Sequence, residues 1–188
     1  MKPTRREIEQ QERYMYARQK EFRLAAEYVA RALADVGEVQ KVVLFGSVSR
    51  LLEKEVPRFS NYRRYRIELA HECSDVDIAV WVSNLDGLKS LQKARSKALN
   101  LLLQEKDIGV AHHQVDIFIV EPVTSRYLGR LCIFGKCPKG KKECLVPACG
   151  SIPFLRKHED FSFREDAFAA SNCSVLFERG GFCDSPSA

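Results

Sequence analysis

No apolar run in this chain approaches the roughly 18 consecutive residues that a membrane-crossing helix requires. Nor do the first thirty residues, which are charged throughout, hold the apolar segment of an export signal. Both absences point to a soluble, cytoplasmic protein with no membrane partner. There are no internal repeats and no low-complexity segments, so solenoids, arrays and disordered linkers drop out. Charge of one sign is not in great excess: 30 Lys and Arg against 25 Asp and Glu leave +5. With a pI near 8.8, the chain falls short of a basic footprint that would mark a nucleic-acid binder on its own. A mild positive balance suits a polyanionic substrate such as a nucleoside triphosphate.

What is present fits one domain. The 188 residues, 45% of them hydrophobic, suffice for a single core. Between Pro3 and Gly37 there is neither glycine nor proline, and Phe22, Ala25, Tyr28, Val29, Ala32 and Leu33 recur at helical spacing. This predicts a long helix from Thr4 to Asp35, whose mostly charged first half extends into solvent or toward a protein partner. The run Val42–Phe45, ended by Gly46-Ser47, reads as a buried strand. Val76–Val82 reads as a second strand, Leu88–Gln104 as a helix with Leu88, Leu91, Leu99, Leu102 and Leu103 inward, and Gln114–Val120 as a third strand. A last helix is expected over Glu159–Ala170, with a loose tail from Gly180. The expected class is α/β (α+β): a mixed sheet flanked by helices on one domain, 1–188.

Three aspartates interrupt the apolar strands. Asp75 and Asp77 flank Val76, so both side chains leave one face of the strand start. Asp116 is the only acid in Gln114–Val120. If the two strands are neighbours, the three carboxylates converge. Like charges so placed raise one another's pKa, and a divalent cation removes that penalty. The expected metal is magnesium or manganese, as a site for in-line phosphoryl displacement.

In Leu44-Phe45-Gly46-Ser47-Val48-Ser49-Arg50, glycine allows close backbone approach, while the following amides and hydroxyl suit phosphate oxygens. A helix starting at Ser47 would add positive potential there, and Arg50 a charge. Phe45-Gly46-Ser47, Ser74-Asp75-Val76-Asp77-Ile78 and Val115-Asp116-Ile117-Phe118 together resemble, in order, the motifs of the DNA polymerase β-like nucleotidyltransferase superfamily. The resemblance covers residues 38–121. It implies a nucleotidyltransferase-type sheet, with Gly46 and Ser47 on the nucleotide and Asp75, Asp77 and Asp116 as catalytic metal ligands. Two departures stand out: Leu51 falls where many members carry a second glycine, and Ser47 to Asp75 is longer than the family's usual link.

The extra length, 51–72, carries Tyr62-Arg63-Arg64-Tyr65-Arg66. Aromatics alternating with arginines suit single-stranded nucleic acid, but an ordinary solvated face with tyrosines covering the core is the favoured reading. In 130–151, Cys132, Cys137, Cys144 and Cys149 lie in C-x4-C-x6-C-x4-C, favouring a closed structural zinc site over free thiols or disulfides. Lys136, Lys139, Lys141 and Lys142 surround it. Cys73, Cys173 and Cys183 read as plain thiols, and His112 and His113 as surface residues.

The leading expectation is therefore an enzyme that moves a nucleotidyl group from a nucleoside triphosphate, ATP among the candidates, to a hydroxyl. The acceptor is open between a small molecule, a protein side chain and an RNA end. The alternative is a catalytically silent, zinc-stabilised module that binds nucleotide or a partner, as an antitoxin-like regulator would.

Overall fold

The computed structural model describes residues 2–58, 61–136, 149–158 and 161–180. The opening helix α1 spans Arg5–Ala34, and Thr4 caps it: Glu7 N–H donates to the threonine hydroxyl while the Glu7 carboxylate accepts from Thr4 N–H. That reciprocal pair satisfies two of the amide groups every helix start leaves over. Beyond Asp35 the chain enters β1 (Val39–Phe45), then the short β2 (Lys54–Glu55), α2 (Asn61–Arg64) and β3 (Leu69–Ala70). There follow β4 (Val76–Val82), α3 (Leu88–Lys106), β5 (Val115–Val120), β6 (Tyr127–Leu131), β7 (Leu155–Arg156) and β8 (Cys173–Glu178).

Among the described residues, a six-stranded mixed sheet runs in the order β7-β6-β5-β4-β1-β8, and β2 pairs with β3 in a separate ribbon. Among the described strands only β4 and β5 are parallel, and α3 is the crossover that a parallel pair needs. The sheet continues past residue 121: β6 and β7 extend one side, and β8 closes the other by pairing with β1.

Alternation along the strands sorts side chains onto two faces. Val42, Leu44, Ile78, Val80, Ile117 and Ile119 are buried under Phe22, Ala26, Val29 and Leu33 of α1 and Leu91, Leu99 and Leu102 of α3. The other face carries Val43, Ala79, Trp81 and Val120, over which Phe163 and Phe168 pack.

Three local expectations do not hold. Leu103 is 50% exposed; it sits beside the apolar stripe of α3, not in it. No helix starts at Ser47, because Ser49 N–H turns back to Gly46 O at 3.3 Å and closes a tight turn. Residues 161–164 are irregular and 165–170 form turns, not a helix. Their phenyl groups instead join an edge-to-face cluster on the open sheet face, Phe163 to Phe168 at 4.8 Å and Phe45 to Phe163 at 5.6 Å. That packing outweighs the local helical spacing. Glu159, Asp160 and the tail beyond Gly180 lie outside the described residues.

Exposure on α3 generates a paired prediction. Leu102→Ala should lower unfolding stability by about 2–5 kcal/mol and Leu103→Ala by less than about 0.5 kcal/mol. Urea midpoints of the two variants check it; equal losses would overturn the placement of the helix face.

Candidate active site

Parallel pairing puts Asp77 directly beside Asp116, with Val76 opposite Val115 and Ile78 opposite Ile117. On the other side, Asp77 is opposite Phe45, the last residue of β1. Val76, Ile78, Val115 and Ile117 enter the helix-covered core, so both aspartates leave the opposite face, the one that also carries Phe45. Asp75, one residue before β4, is half-buried and accepts from the Ser74 hydroxyl at 2.8 Å.

Burial pushes Asp77 up from 3.8 to about 6; the carboxylates of Asp116 and then Asp75 push the same way, while Arg130 pulls it back. Asp116 is itself gripped by Arg130, whose Nη1 donates to Oδ2 at 2.5 Å. The guanidinium also lies 5.2 Å from the centre of the Phe118 ring. Arg130 could not be singled out from the sequence, because it stands in Tyr127–Leu131, a stretch that carries no motif.

Gly46 follows β1 with φ of 79°, a backbone shape that favours glycine. A Cβ there would sit 2.6 Å from Asp77 Oδ2, so the turn and the carboxylate are in close contact. The turn is held from behind. Gln19 Nε2 donates to Arg50 O at 2.6 Å and Ser47 O at 3.1 Å, and Arg23 Nε donates to Val48 O at 2.7 Å. The carbonyls of Ser47, Val48 and Arg50 are thus engaged by α1. Gln19, 8% exposed, belongs to the half of α1 expected to extend into solvent, and so its role was missed. The same helix steadies the strand starts: Arg18 Nη2 donates to Gln114 Oε1 at 3.2 Å, and Gln114 Nε2 reaches Ser74 O at 3.4 Å.

Arg50 is exposed at the end of the turn and lines, with Phe45, Gly46, Phe161, Phe163 and Asn172, a cleft of about 240 Å³. Behind β5, Arg95 is 3% exposed and donates to Val115 O at 3.3 Å. Burial lowers its pKa, and the negative charge of Asp116 opposes that. It too carried no sequence signal.

Carboxylate oxygens are the donors that magnesium and manganese take, and a half-compensated acid such as Asp77 is what a cation relieves. On donor chemistry the residues fit such an ion. In the present arrangement, however, no three His, Cys, Asp or Glu among the described residues form a metal-holding group, and Asp116 is engaged with Arg130. Of the expected zinc ligands, Cys132 and Cys149 are half-buried free thiols; Cys137 and Cys144 lie outside the described residues, as do Lys139, Lys141 and Lys142. In the insertion, Tyr62 and Tyr65 are half-buried and Arg63, Arg64 and Arg66 exposed, the pattern of a solvated face.

The raised Asp77 has a signed consequence for stability. The folded chain keeps that proton up to about pH 6, whereas the unfolded chain loses it near 3.8. Folding takes up a proton in between, so stability falls as pH rises through that window. Without divalent metal, Asp77→Asn should be more stable than the parent at pH 7, by on the order of 2 kcal/mol, and the gap should close below pH 4. Urea unfolding of both proteins across pH 4–7 is the check; a gap of opposite sign at pH 7 would contradict the burial of this acid.

No family model matches the chain, and no match to it is found among curated proteins or among solved structures.

Proposed function

We propose that this chain is a nucleotidyltransferase on a polymerase β-like sheet, passing a nucleotidyl group from a nucleoside triphosphate to a hydroxyl while pyrophosphate leaves. The observation that carries the reading is the register of Asp77 with Asp116, hard against the Gly46 turn. The three ordered motifs alone would also be met by carboxylates scattered over a surface. Here two of them are neighbours, the third raises the pKa of Asp77, and the phosphate-binding turn touches the same group.

Each residue has a task in this reading. The amides of the Gly46-Ser47 turn face phosphate oxygens, with the Ser47 hydroxyl beside them and the Arg50 guanidinium closing the end. The nucleoside enters the adjoining cleft, where Phe45, Phe161 and Phe163 offer ring faces and edges, and Arg164, Asp166 and Asn172 offer polar groups. Asp75, Asp77 and Asp116 would hold magnesium or manganese, which when bound offsets the triphosphate charge and acidifies the attacking hydroxyl. Asp116 Oδ1, the oxygen that Arg130 Nη1 does not take, receives the hydroxyl proton. A structural zinc ion on the four cysteines remains part of the proposal.

Turnover tests it. Purified protein with magnesium and each labelled nucleoside triphosphate should release pyrophosphate or label itself or an added acceptor. Asp77→Asn and Asp116→Asn should reduce that rate by about a hundredfold or more. Full activity in either variant would sink the assignment. Nucleotide affinity that survives in both variants, with no turnover in the parent, would favour the silent module.

A further inference from the structure

The cleft beside the Gly46 turn combines an aromatic wall with a particular set of hydrogen-bonding groups. Phe45, Phe161 and Phe163 supply the wall. The last two meet edge to face with ring centres 5.3 Å apart, yet Phe161 is still 37% exposed. A phenyl ring left partly bare in such a place is a platform on which a base can stack. The polar lining includes Arg164, Asp166 and Asn172.

These polar residues are held in place relative to the turn. The Ser49 hydroxyl lies 2.8 Å from Gly46 O and 2.6 Å from Asn172 O, so it joins the turn to the segment that leads into β8. Asn172 Nδ2 donates in turn to Asp166 O at 3.0 Å, and Ala169 N–H donates to the same carbonyl at 3.1 Å. The local structure thus uses the main chain of Asp166 and makes little demand on its carboxylate. Oδ2 accepts one long bond, 3.3 Å from Asn172 Nδ2. Oδ1 lies 3.3 Å from Arg164 Nε, in an ion pair whose side chains are 53% and 81% exposed. A pair so exposed contributes little to stability. A carboxylate offers about four acceptor positions, so this one has room for further donors.

The geometry points to a guanine nucleotide as the occupant of this cleft. Its base stacks on Phe161 while N1–H and the 2-amino group donate to the two oxygens of Asp166, and the Arg164 guanidinium turns to O6. Of the common bases only guanine presents two adjacent N–H donors on its pairing edge. Adenine and cytosine place an unprotonated ring nitrogen beside the amino group, and uracil sets its single N–H between two carbonyls. Each of these would bring a lone pair against the carboxylate, which has no proton to offer. That mismatch leaves polar groups unpaired, the strongest source of discrimination between similar ligands. Entry of a nucleotide rests on the nucleotidyl-transfer reading; the choice among bases rests on Asp166.

Calorimetric titration of the full chain with magnesium tests the choice. The probes are guanosine, adenosine, inosine and xanthosine triphosphates with an α,β-methylene link, which cannot release pyrophosphate. The guanosine analogue should bind about tenfold to a hundredfold more tightly than the adenosine one. Inosine, which lacks only the 2-amino group, should fall about tenfold below guanosine. Asp166→Asn exchanges an acceptor for an amide donor. It should lose the guanine preference and bind the xanthosine analogue, with a carbonyl in place of that amino group, more tightly than the parent does. A gain of affinity separates recognition from damage to the fold. Glu165→Gln, at the neighbouring exposed acid, should leave the order of affinities unchanged. Equal binding of the guanosine and adenosine analogues, no binding of either, or a guanine preference that survives Asp166→Asn would overturn the assignment. Turnover of ordinary triphosphates separates the two readings. Pyrophosphate release without guanine preference leaves transfer standing and removes this assignment; selective guanine binding without release from any triphosphate does the reverse.

Discussion

Two ionisable carboxylates held in register on neighbouring parallel strands are the constraint around which this molecule is arranged. Asp77 beside Asp116 is a repulsive pair in a half-buried place, and Arg130 on the neighbouring strand β6 compensates it in part only. What keeps the pair there is the core. Val76, Ile78 and Val80 on β4 and Val115, Ile117 and Ile119 on β5 are buried under the helices. A slip of one residue in either strand would drive an aspartate into that layer and an isoleucine out of it. Hydrophobic alternation therefore does double service: the pattern that stabilises the sheet also compels the two acids onto the open face. The cost of like charge is borne by apolar burial, and the raised pKa of Asp77 is its visible trace.

The long first helix connects that core to the Gly46 turn. Its apolar stripe, Phe22, Ala26, Val29 and Leu33, lies on the sheet. One turn earlier, Gln19 and Arg23 reach the carbonyls of residues 47, 48 and 50. A peptide group with its carbonyl tied down has its amide orientation settled as well. Packing of α1 thus fixes the peptide planes that follow Ser47, Val48 and Arg50. A turn this short, with a glycine in the left-handed region, would otherwise sample several shapes.

Elements with their own periodicity were legible in the sequence. The long helix, Val76–Val82 and the Leu88 helix stand where apolar spacing put them, because each buries a continuous stripe or face. The pairing of β4 with β5 was stated only as a condition, since strand order depends on contacts far apart in sequence. For the same reason β8 could not be foreseen: it reaches β1 from more than a hundred residues away, and its residues alternate weakly at an edge. Residues 161–170 misled because Phe163, Ala167 and Phe168 have helical spacing, yet their rings are stabilised by Phe45, Trp81 and Phe118 across the sheet. Of the site, the three aspartates and the Gly-Ser turn were legible as motifs. Arg130 and Arg95 were not, because a basic residue in a strand or amphipathic helix carries no local mark of what it will face.

Arg130 also bears on whether the carboxylates are for chemistry or for structure. A structural ion pair would need one acid for one base, and Arg130 with Asp116 meets that need. It leaves Asp77 unexplained. That residue lies beside Asp116, is touched by the Gly46 turn, and remains raised to about 6 even with Arg130 pulling the other way. A fold selected only for stability would gain from an asparagine or a small apolar residue at that position, with no change to the strand pairing. Retaining a third acid, Asp75, close enough to add to the repulsion makes the structural account harder still. On the proposed reading the arrangement has a physical reason: a cation and a phosphate chain between the turn and the acids would turn charge that opposes folding into charge that binds.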